Sequence, residues 1–479
     1  MSPETIVGQV RQQQTKPEIK AWLDSGKGFA DYWDGKFAVH EYNEISAKNK
    51  GYNIVIDWEN GTSTELSAAE AYDLIYLQGN PWMLTANGTI FTYENQGVIP
   101  GLLTRWYAER KELQAKAKEA YGTDMFEYWD KRQLVKKINL NSLYGALLNA
   151  GSRFFDLRLG QSTTLLGRCV ARHMASQVNN VFTGEYDHKG KTIIYGDTDS
   201  CYFSAYPVYK GQIDRGEVEW TRDKIIELYD MVADEVNATF PLFMNTAFNC
   251  PTNLGEIIKA GREVVASKGL FITKKRYAVL IYDKEGKRKD KDGELGEIKA
   301  MGLDLKRADT PEFMQRFLEK ILLMVLNGQD KQDVIDAINE FRTAFKERPG
   351  WEKGTPKRVN NLTKHTEVFE KTGKCGVGHA MAAINWNRFK KAHGDQASLD
   401  VTDGMKVIVC KLKSNPMGIT SIAHPIDEMR LPEWFKDMPF DHGAMEETII
   451  NNKVENLIGV LDWDIRASDQ TNTFESLFG

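Results

Sequence analysis

A chain of 479 residues, 42% hydrophobic and 27% charged, is long enough for two to four domain-sized units with substantial cores. No apolar run approaches the roughly 20 residues of a membrane-spanning helix, and the start Met1-Ser2-Pro3-Glu4-Thr5 has no basic-then-apolar signal layout. The net charge of −5 argues against a protein coated in nucleic acid, yet leaves room for a basic track on one face and acidic metal ligands elsewhere. Cys169, Cys201, Cys250, Cys375 and Cys410 are scattered, odd in number and form no CxxC, so neither a disulfide framework nor a zinc knuckle is indicated, and a reducing compartment fits.

Met83-Leu84-Thr85 and Ile90-Phe91-Thr92-Tyr93 are strand-like, and Asn87-Gly88 between them signals a hairpin turn. After Pro100 a helical pattern runs from about Leu102 to Ala120, and a second from about Lys131 to Leu148. The short linker holds Gly122, so the two read as a helical hairpin. Residues 161–182 predict another helix. Lys191-Thr192-Ile193-Ile194-Tyr195 and Cys201-Tyr202-Phe203 predict strands flanking Gly196-Asp197-Thr198-Asp199-Ser200, a hairpin with two carboxylates at its tip. A helix follows at about 222–238, and strands return near Glu263 and from Arg276 to Tyr282.

From Asp309 onward the chain is expected to be mostly helical. Asp309 or Thr310 caps a helix with Pro311 in its first turn and the apolar stripe Phe313, Phe317, Ile321, Leu322 and Val325. A second helix spans about 331–347 after Gly328. Residues 405–412 read as a strand and Asn415-Pro416 as a turn.

Asp197 and Asp199 are oxygen donors of the kind that hard cations such as Mg²⁺ take. At a hairpin tip both can converge on one ion, and two ions roughly 3.5–4 Å apart can activate a primer hydroxyl and neutralise a leaving pyrophosphate. Alone, an Asp-x-Asp is weak; nucleotide-sugar transferases carry one, and many are turn residues. Lys137, Asn141 and Tyr144, in Lys137-Ile138-Asn139-Leu140-Asn141-Ser142-Leu143-Tyr144-Gly145, share one helix face by their spacing. A lysine there is a point charge for a triphosphate, the tyrosine can pack on a new base pair, and Gly145 admits close backbone approach.

Three basic clusters stand out: Arg105, Arg110, Lys111, Lys116 and Lys118; Lys136 and Lys137; and Lys274-Lys275-Arg276. Any one alone reads as a solvated face. Arg110 can face Lys137 across an antiparallel hairpin and clamp phosphates with it. Lys274-Lys275-Arg276-Tyr277 begins a strand and suits a duplex backbone. Glu263, eleven residues before Lys274, could aim a third carboxylate at the metals.

Together, and in this order, these segments resemble the family B DNA polymerases. Lys137 to Gly145 looks like the fingers motif, Tyr195 to Ser200 the palm motif with the catalytic aspartates, and Lys274 to Tyr277 the primer-contacting motif. Lys299-Ala300-Met301-Gly302-Leu303 with Arg307, Asp309, Thr310 and Pro311 looks like the approach to the thumb. Asn415-Pro416-Met417-Gly418 and Phe474-Glu475-Ser476-Leu477-Phe478-Gly479 narrow the resemblance to replicative polymerases of T-even-like bacteriophages, and it runs over almost the whole chain.

The resemblance implies an α+β right-hand polymerase. Residues 1–97 and 151–300 would form a palm with an antiparallel sheet, 98–150 helical-hairpin fingers and 301–468 a mostly helical thumb. Residues 469–479 would be a tail that binds a sliding clamp through Phe474, Leu477 and Phe478. Asp199 would be the main metal ligand, Asp197 its neighbour and Glu263 a supporting catalytic carboxylate, with two Mg²⁺ ions or Mn²⁺ in their place. Arg110, Lys137 and Asn141 would hold the dNTP, and Tyr144 and Gly145 would check the minor-groove side of the new pair. Lys274, Lys275, Arg276, Tyr277 and Arg307 would hold primer-template DNA. The setting implied is the cytoplasm of an infected bacterial host, with no membrane partner.

Three departures shape this reading. The family's other palm motif, an Asp followed by Ser-Leu-Tyr-Pro-Ser, and the exonuclease carboxylate motifs are missing from the sequence. The Arg110–Lys137 stretch is much shorter than in the T-even enzymes, so the fingers should be stubbier. A second basic residue one turn after Arg110 is replaced by Gln114, with Lys111 and Lys116 nearby. The expectation is therefore the large C-terminal subunit of a naturally split polymerase. A separate N-terminal subunit would bring the exonuclease and the missing palm aspartate across an extensive, sheet-like interface. The alternatives are a fragment of a longer polymerase, a non-catalytic DNA-binding or processivity module, and a metal-dependent glycosyltransferase; the last does not account for Lys137–Gly145 or Lys274–Tyr277.

Overall fold

The alternation of Ile6, Gly8 and Val10 with half-exposed neighbours makes β1 (Ile6–Arg11) a strand with one buried face. A computed structural model of the chain describes residues 1–11, 53–291, 295–463 and 465. It divides into two units, residues 1–262 and 263–479. Both mix helices with antiparallel sheet, an α+β architecture.

In the first unit, β1 lies between β2 (Asn53–Trp58) and β5 (Thr89–Thr92), with β3 (Ser63–Ser67) and β4 (Trp82–Leu84) outermost. All the pairings are antiparallel. The expected hairpin of residues 80–100 is β4–β5, closed by the Gly88 N–H on the Thr85 carbonyl at 2.8 Å. Val10, Ile56, Leu84 and Ile90 bury the sheet's apolar face together with Ala71 and Ile75.

The helical hairpin is α1 (Val98–Glu119) and α2 (Met125–Leu147). Both helices start several residues before the sequence pattern suggests. At the linker, Tyr121 packs edge-on against Phe126 with ring centroids 5.4 Å apart, which draws residues 125–130 into the first turns of α2. Helix α3 (Leu157–Thr183) is capped by the Asp156 carboxylate, which accepts the Arg158 N–H at 2.8 Å. Helix α4 (Arg222–Phe248) runs ten residues past its expected end and through Pro241. Interior proline normally ends a helix. Here Phe240, Phe243, Met244 and Phe248 keep burying on both sides of it, against Cys169, Val178 and their neighbours from α3.

His173 of α3 sits in this packing, stacked on Phe243 at 4.0 Å, with its ring nitrogens 2.8 Å from the Tyr186 and Thr239 hydroxyls. Burial pushes its pKa down to about 3.

In the second unit, β9 (Arg276–Lys284) is buried along nearly its whole length. It pairs antiparallel with β8 (Val264–Thr273), β10 (Lys287–Arg288) and β11 (Glu297–Met301). Its Ala278 and Leu280 join a core filled by α5 (Glu312–Asn327), α6 (Lys331–Glu347) and α8 (Asn452–Ile458), where α7 denotes Gly378–Ala392 between them. Of the expected stripe on α5, Phe317, Ile321 and Leu322 are buried, while Phe313 and Val325 pack at the core's edge.

One expectation is corrected here. Pro311 occupies the cap of α5 rather than its first turn, and Asp309 caps nothing, because its carboxylate is taken by Arg307 and Lys357. The chain after Asp309 is mostly helical, and the strand expected at 405–412 is β13 (Lys406–Lys411), which pairs with β12 (Thr355–Arg358) and β14 (Ser421–Pro425) in an antiparallel sheet. Together with α7 they enclose a second core around Trp386 and Phe435. Among the described residues no helix is long and apolar enough to cross a membrane.

Candidate active site

Two strands with a two-residue tip carry the carboxylates. Strands β6 (Ile193–Asp197) and β7 (Ser200–Phe203) pair so that Asp197 faces Ser200. Thr198 and Asp199 close the turn, with Thr198 in the left-handed region at φ 53°. The Asp199 N–H donates to the Asp197 carbonyl at 2.6 Å, and the Ser200 hydroxyl to the same oxygen at 3.1 Å. The Thr198 hydroxyl donates to Asp197 Oδ1 at 3.1 Å. Asp199 is exposed and Asp197 half-buried. A non-glycine residue held in this backbone region stores strain of about 1–3 kcal/mol, a frequent signature of a site.

The ribbon is seated by a residue that sequence reasoning missed. Asn179 of α3 is fully buried, and its amide bonds both the N–H and the hydroxyl of Thr192, just before β6. A side chain at Gly190 would run into that amide, so only glycine fits there. No signal in the sequence distinguishes Asn179 from any other helical asparagine.

In the α1–α2 hairpin, Glu109 pairs with Lys136, Arg110 Nε donates to Gln133 Oε1 at 3.4 Å, and Lys116 lies over Trp129 at 5.1 Å. The pairs run in opposite order along the two helices, which fixes the antiparallel register. Arg110 is thus opposite Gln133, one turn from Lys137 rather than directly across from it. Lys137, Asn141 and Gly145 are exposed and Tyr144 is half-buried. Neither Lys137 nor Asn141 spends its side chain on an ion pair or hydrogen bond among the described residues. Near Gln114, Lys111 is held over the Tyr107 ring at 5.4 Å. Ile99, Ala117 and Leu147 are the buried residues of these helices, so charges and cation–π contacts do much of the joining.

Lys274 and Lys275 do not begin a strand. They are the turn between β8 and β9, closed by the Thr273–Arg276 pair, and Lys275 is left-handed at φ 62°. The Thr273–Arg276 pair leaves only two residues for the reversal, and the register shifts by one residue just before it, between Phe271 and Thr273. Gly302 backs this turn: a Cβ there would strike the Lys275 carbonyl.

Arg276 donates to the Asn456 carbonyl at 3.0 Å and lies 4.0 Å from Asp304. Tyr277 is 9% exposed and stacked on Phe271 at 5.4 Å. Arg307 forks onto Asp309 at 2.9 and 3.0 Å, and that hydrogen bonding, with Lys357 adding to it, holds the Asp309 carboxyl well below the usual carboxylate range. Glu263, at the start of the second unit, accepts from Lys299 Nζ at 2.7 Å. Phe474, Leu477 and Phe478 lie outside the described residues.

The donor chemistry of Asp197 and Asp199 fits a hard divalent cation. Two carboxylates are part of a coordination shell, and among the described residues no cluster of three or more His, Cys, Asp or Glu side chains is gathered to complete one.

The family model described as DNA polymerase family B matches residues 45–213 and 232–370, a span that contains all the expected catalytic, nucleotide and DNA-contacting residues. The chain is 26% identical over 303 residues to the DNA-directed DNA polymerase of Escherichia phage RB69, covering 61% of this chain and 33% of that protein. It is 28% identical over 313 residues to the DNA-directed DNA polymerase of Enterobacteria phage T4, with the same coverage of 61% and 33%. The DNA polymerase alpha catalytic subunit of Arabidopsis thaliana is 25% identical over 360 residues, 72% of this chain and 20% of that one. The chain thus spans about a third of the length of the phage relatives it matches.

Proposed function

The chain belongs to DNA polymerase family B, and from that premise we propose that it carries the nucleotide-adding half of a DNA-directed DNA polymerase. The observation that carries this reading is the β6–β7 tip, where Asp197 and Asp199 flank a strained Thr198 within the matched span. Asp199 and Asp197 would hold divalent metal, Mg²⁺ or Mn²⁺. The metal, when bound, supplies charge neutralisation at the primer hydroxyl and the leaving pyrophosphate.

The chain's own residues position the reactants. Arg110, Lys137 and Asn141 take the triphosphate oxygens, which suits the exposed, uncommitted side chains of Lys137 and Asn141. Tyr144 and Gly145 lie further along the same helix face, against the new base pair. Lys274 and Lys275 offer two cations at the tip of a ribbon to the primer–template backbone. Arg276 and Arg307 would join the same DNA-holding set, anchored by Asp304, with Tyr277 supporting the ribbon from its buried stack on Phe271.

The palm motif Asp-Ser-Leu-Tyr-Pro-Ser does not occur in these 479 residues, so the remaining metal-binding aspartate would come from protein outside them, on a second polypeptide that also brings the exonuclease. Primer extension with Mg²⁺ and four dNTPs, by the chain alone and with candidate partners, tests this. Synthesis only in a mixture supports the shared site; vigorous synthesis by the chain alone refutes it; no synthesis in any mixture refutes the enzyme and leaves a DNA-binding or processivity module. Deleting Leu477 and Phe478 should lower synthesis on long templates with a sliding clamp and spare short primers. Equal loss in both would make the tail structural.

A further inference from the structure

Helix α1, which carries Arg110, starts without a cap of its own. Gly97 occupies the cap position and supplies no side chain. The first N–H groups of a helix need partners, and here they come from residues far earlier in the chain. The Val98 N–H donates to Glu4 Oε1 at 2.6 Å, and the Ile99 N–H points at the Ser2 hydroxyl at 3.4 Å. That hydroxyl donates in turn to Glu4 Oε2 at 2.6 Å.

The capping pair is itself fixed. Ser2 is fully buried, its N–H donates to Thr5 Oγ1 at 3.1 Å, and the Thr5 hydroxyl returns to the Ser2 carbonyl at 2.8 Å. Thr5 leads directly into β1. The fit has no slack: a Cβ at Gly97 would stand 2.5 Å from Ser2 Cβ and 3.0 Å from Thr5 Cγ2. The Glu4 carboxylate also faces the positive end of the helix dipole.

We propose that Ser2 and Glu4 are positioning residues for nucleotide addition, fixing the start of α1 against β1 and so setting where Arg110 stands. The inference rests on the reading of Arg110 as a triphosphate contact. Arg110 lies about 18 Å along α1 from its first turn, so a tilt of about 10° at the cap moves it by about 3 Å, enough to break a phosphate hydrogen bond. With the cap lost, the competent placement is populated less, and the nucleotide must restore it, which raises the apparent dissociation constant by the same factor.

The test uses the full chain in the assembly that incorporates dNTP. Glu4→Ala should raise the KM for dNTP about 3- to 30-fold, the range a lost cap gives, with kcat at saturating dNTP little changed. Amide hydrogen exchange at Val98 and Ile99 should accelerate. Glu4→Gln, which keeps an acceptor, should recover most of the KM. Gly97→Ala keeps the Glu4 side chain but crowds both Ser2 and Glu4 Oε1 at the helix start, and should raise the KM likewise, which keeps the test open if Glu4→Ala folds poorly. A KM unmoved by Glu4→Ala and Gly97→Ala, or a fall in kcat that only follows the melting temperature, overturns the proposal. Arg110→Ala separates the two readings. If it raises the KM and Glu4→Ala does not, the site reading stands and the positioning role falls. If Arg110→Ala leaves the KM unchanged, the site reading itself falls and takes the positioning role with it.

Discussion

The amide oxygen of Asn179 accepts two hydrogen bonds from one residue, Thr192: the backbone N–H at 3.2 Å and the hydroxyl at 2.9 Å. The amide nitrogen donates to the Glu185 carbonyl at 2.9 Å and to Thr183 Oγ1 at 3.0 Å. One buried side chain thus joins the end of α3 to the base of the carboxylate ribbon. Asn179→Ala strands the Thr192 N–H and the Glu185 carbonyl, at a cost of roughly 1–3 kcal/mol. A thermal or urea melt should show that loss, and an undiminished midpoint would refute it.

Asp197 and Asp199 sit at a solvent-facing tip, so their removal should separate function from folding. Asp199→Asn is expected to reduce primer extension by about a hundredfold or more, the scale of losing metal-borne charge stabilisation, while leaving the melting temperature nearly unchanged. Comparable loss of stability would mean that the pair is a turn device.

The α1–α2 hairpin offers an internal control. Lys137→Ala should raise the KM for dNTP about tenfold, as expected for one charge-assisted hydrogen bond. Lys116 is committed to the Trp129 ring, so Lys116→Ala should leave that KM alone. Steady-state incorporation over a dNTP series decides, and equal effects would remove Lys137 from the nucleotide face.

His173 gives the first unit a pH dependence. Burial holds the folded pKa at about 3, against about 6.5 in an unfolded chain. Between these values the unfolded state binds the extra proton, so stability is complete above about 6.5 and falls as the pH drops toward 3. Urea midpoints at pH 7 and pH 5 should differ for the wild type and differ less for His173→Phe, which keeps a ring against Phe243. An unchanged pH slope in the variant would assign the effect to other groups.

What could be read in the sequence was local. Asn87-Gly88, the Asp197–Asp199 tip and the α6 helix over 331–347 follow from turn chemistry and periodicity within a few residues. What could not be read depended on remote partners. The early start of α1 is supplied by Ser2 and Glu4, and the extra turns of α4 past Pro241 by packing against α3. Strand β12, Thr355-Pro356-Lys357-Arg358, shows no alternation and contains a proline, so only its pairing with β13 identifies it. Within the site, the residue types were legible but their commitments were not. Arg276 meets a carbonyl 180 positions away, and Arg307 is shared between Asp304 and Asp309.

The two-lysine reversal between β8 and β9 has a consequence for how this protein can change over time. Because the loop holds two residues and Gly302 lies against the Lys275 carbonyl, an inserted or deleted residue that the register shift at Ile272 did not absorb would exchange the two faces of β9. Tyr277 would turn away from Phe271, and the buried Ala278 and Leu280 would leave their core. Substitutions can drift at the two lysine positions more freely than the loop's length can. The reach of the basic tip from the body of its sheet is therefore more constrained than its charge, and natural variants should differ there in charge more readily than in spacing.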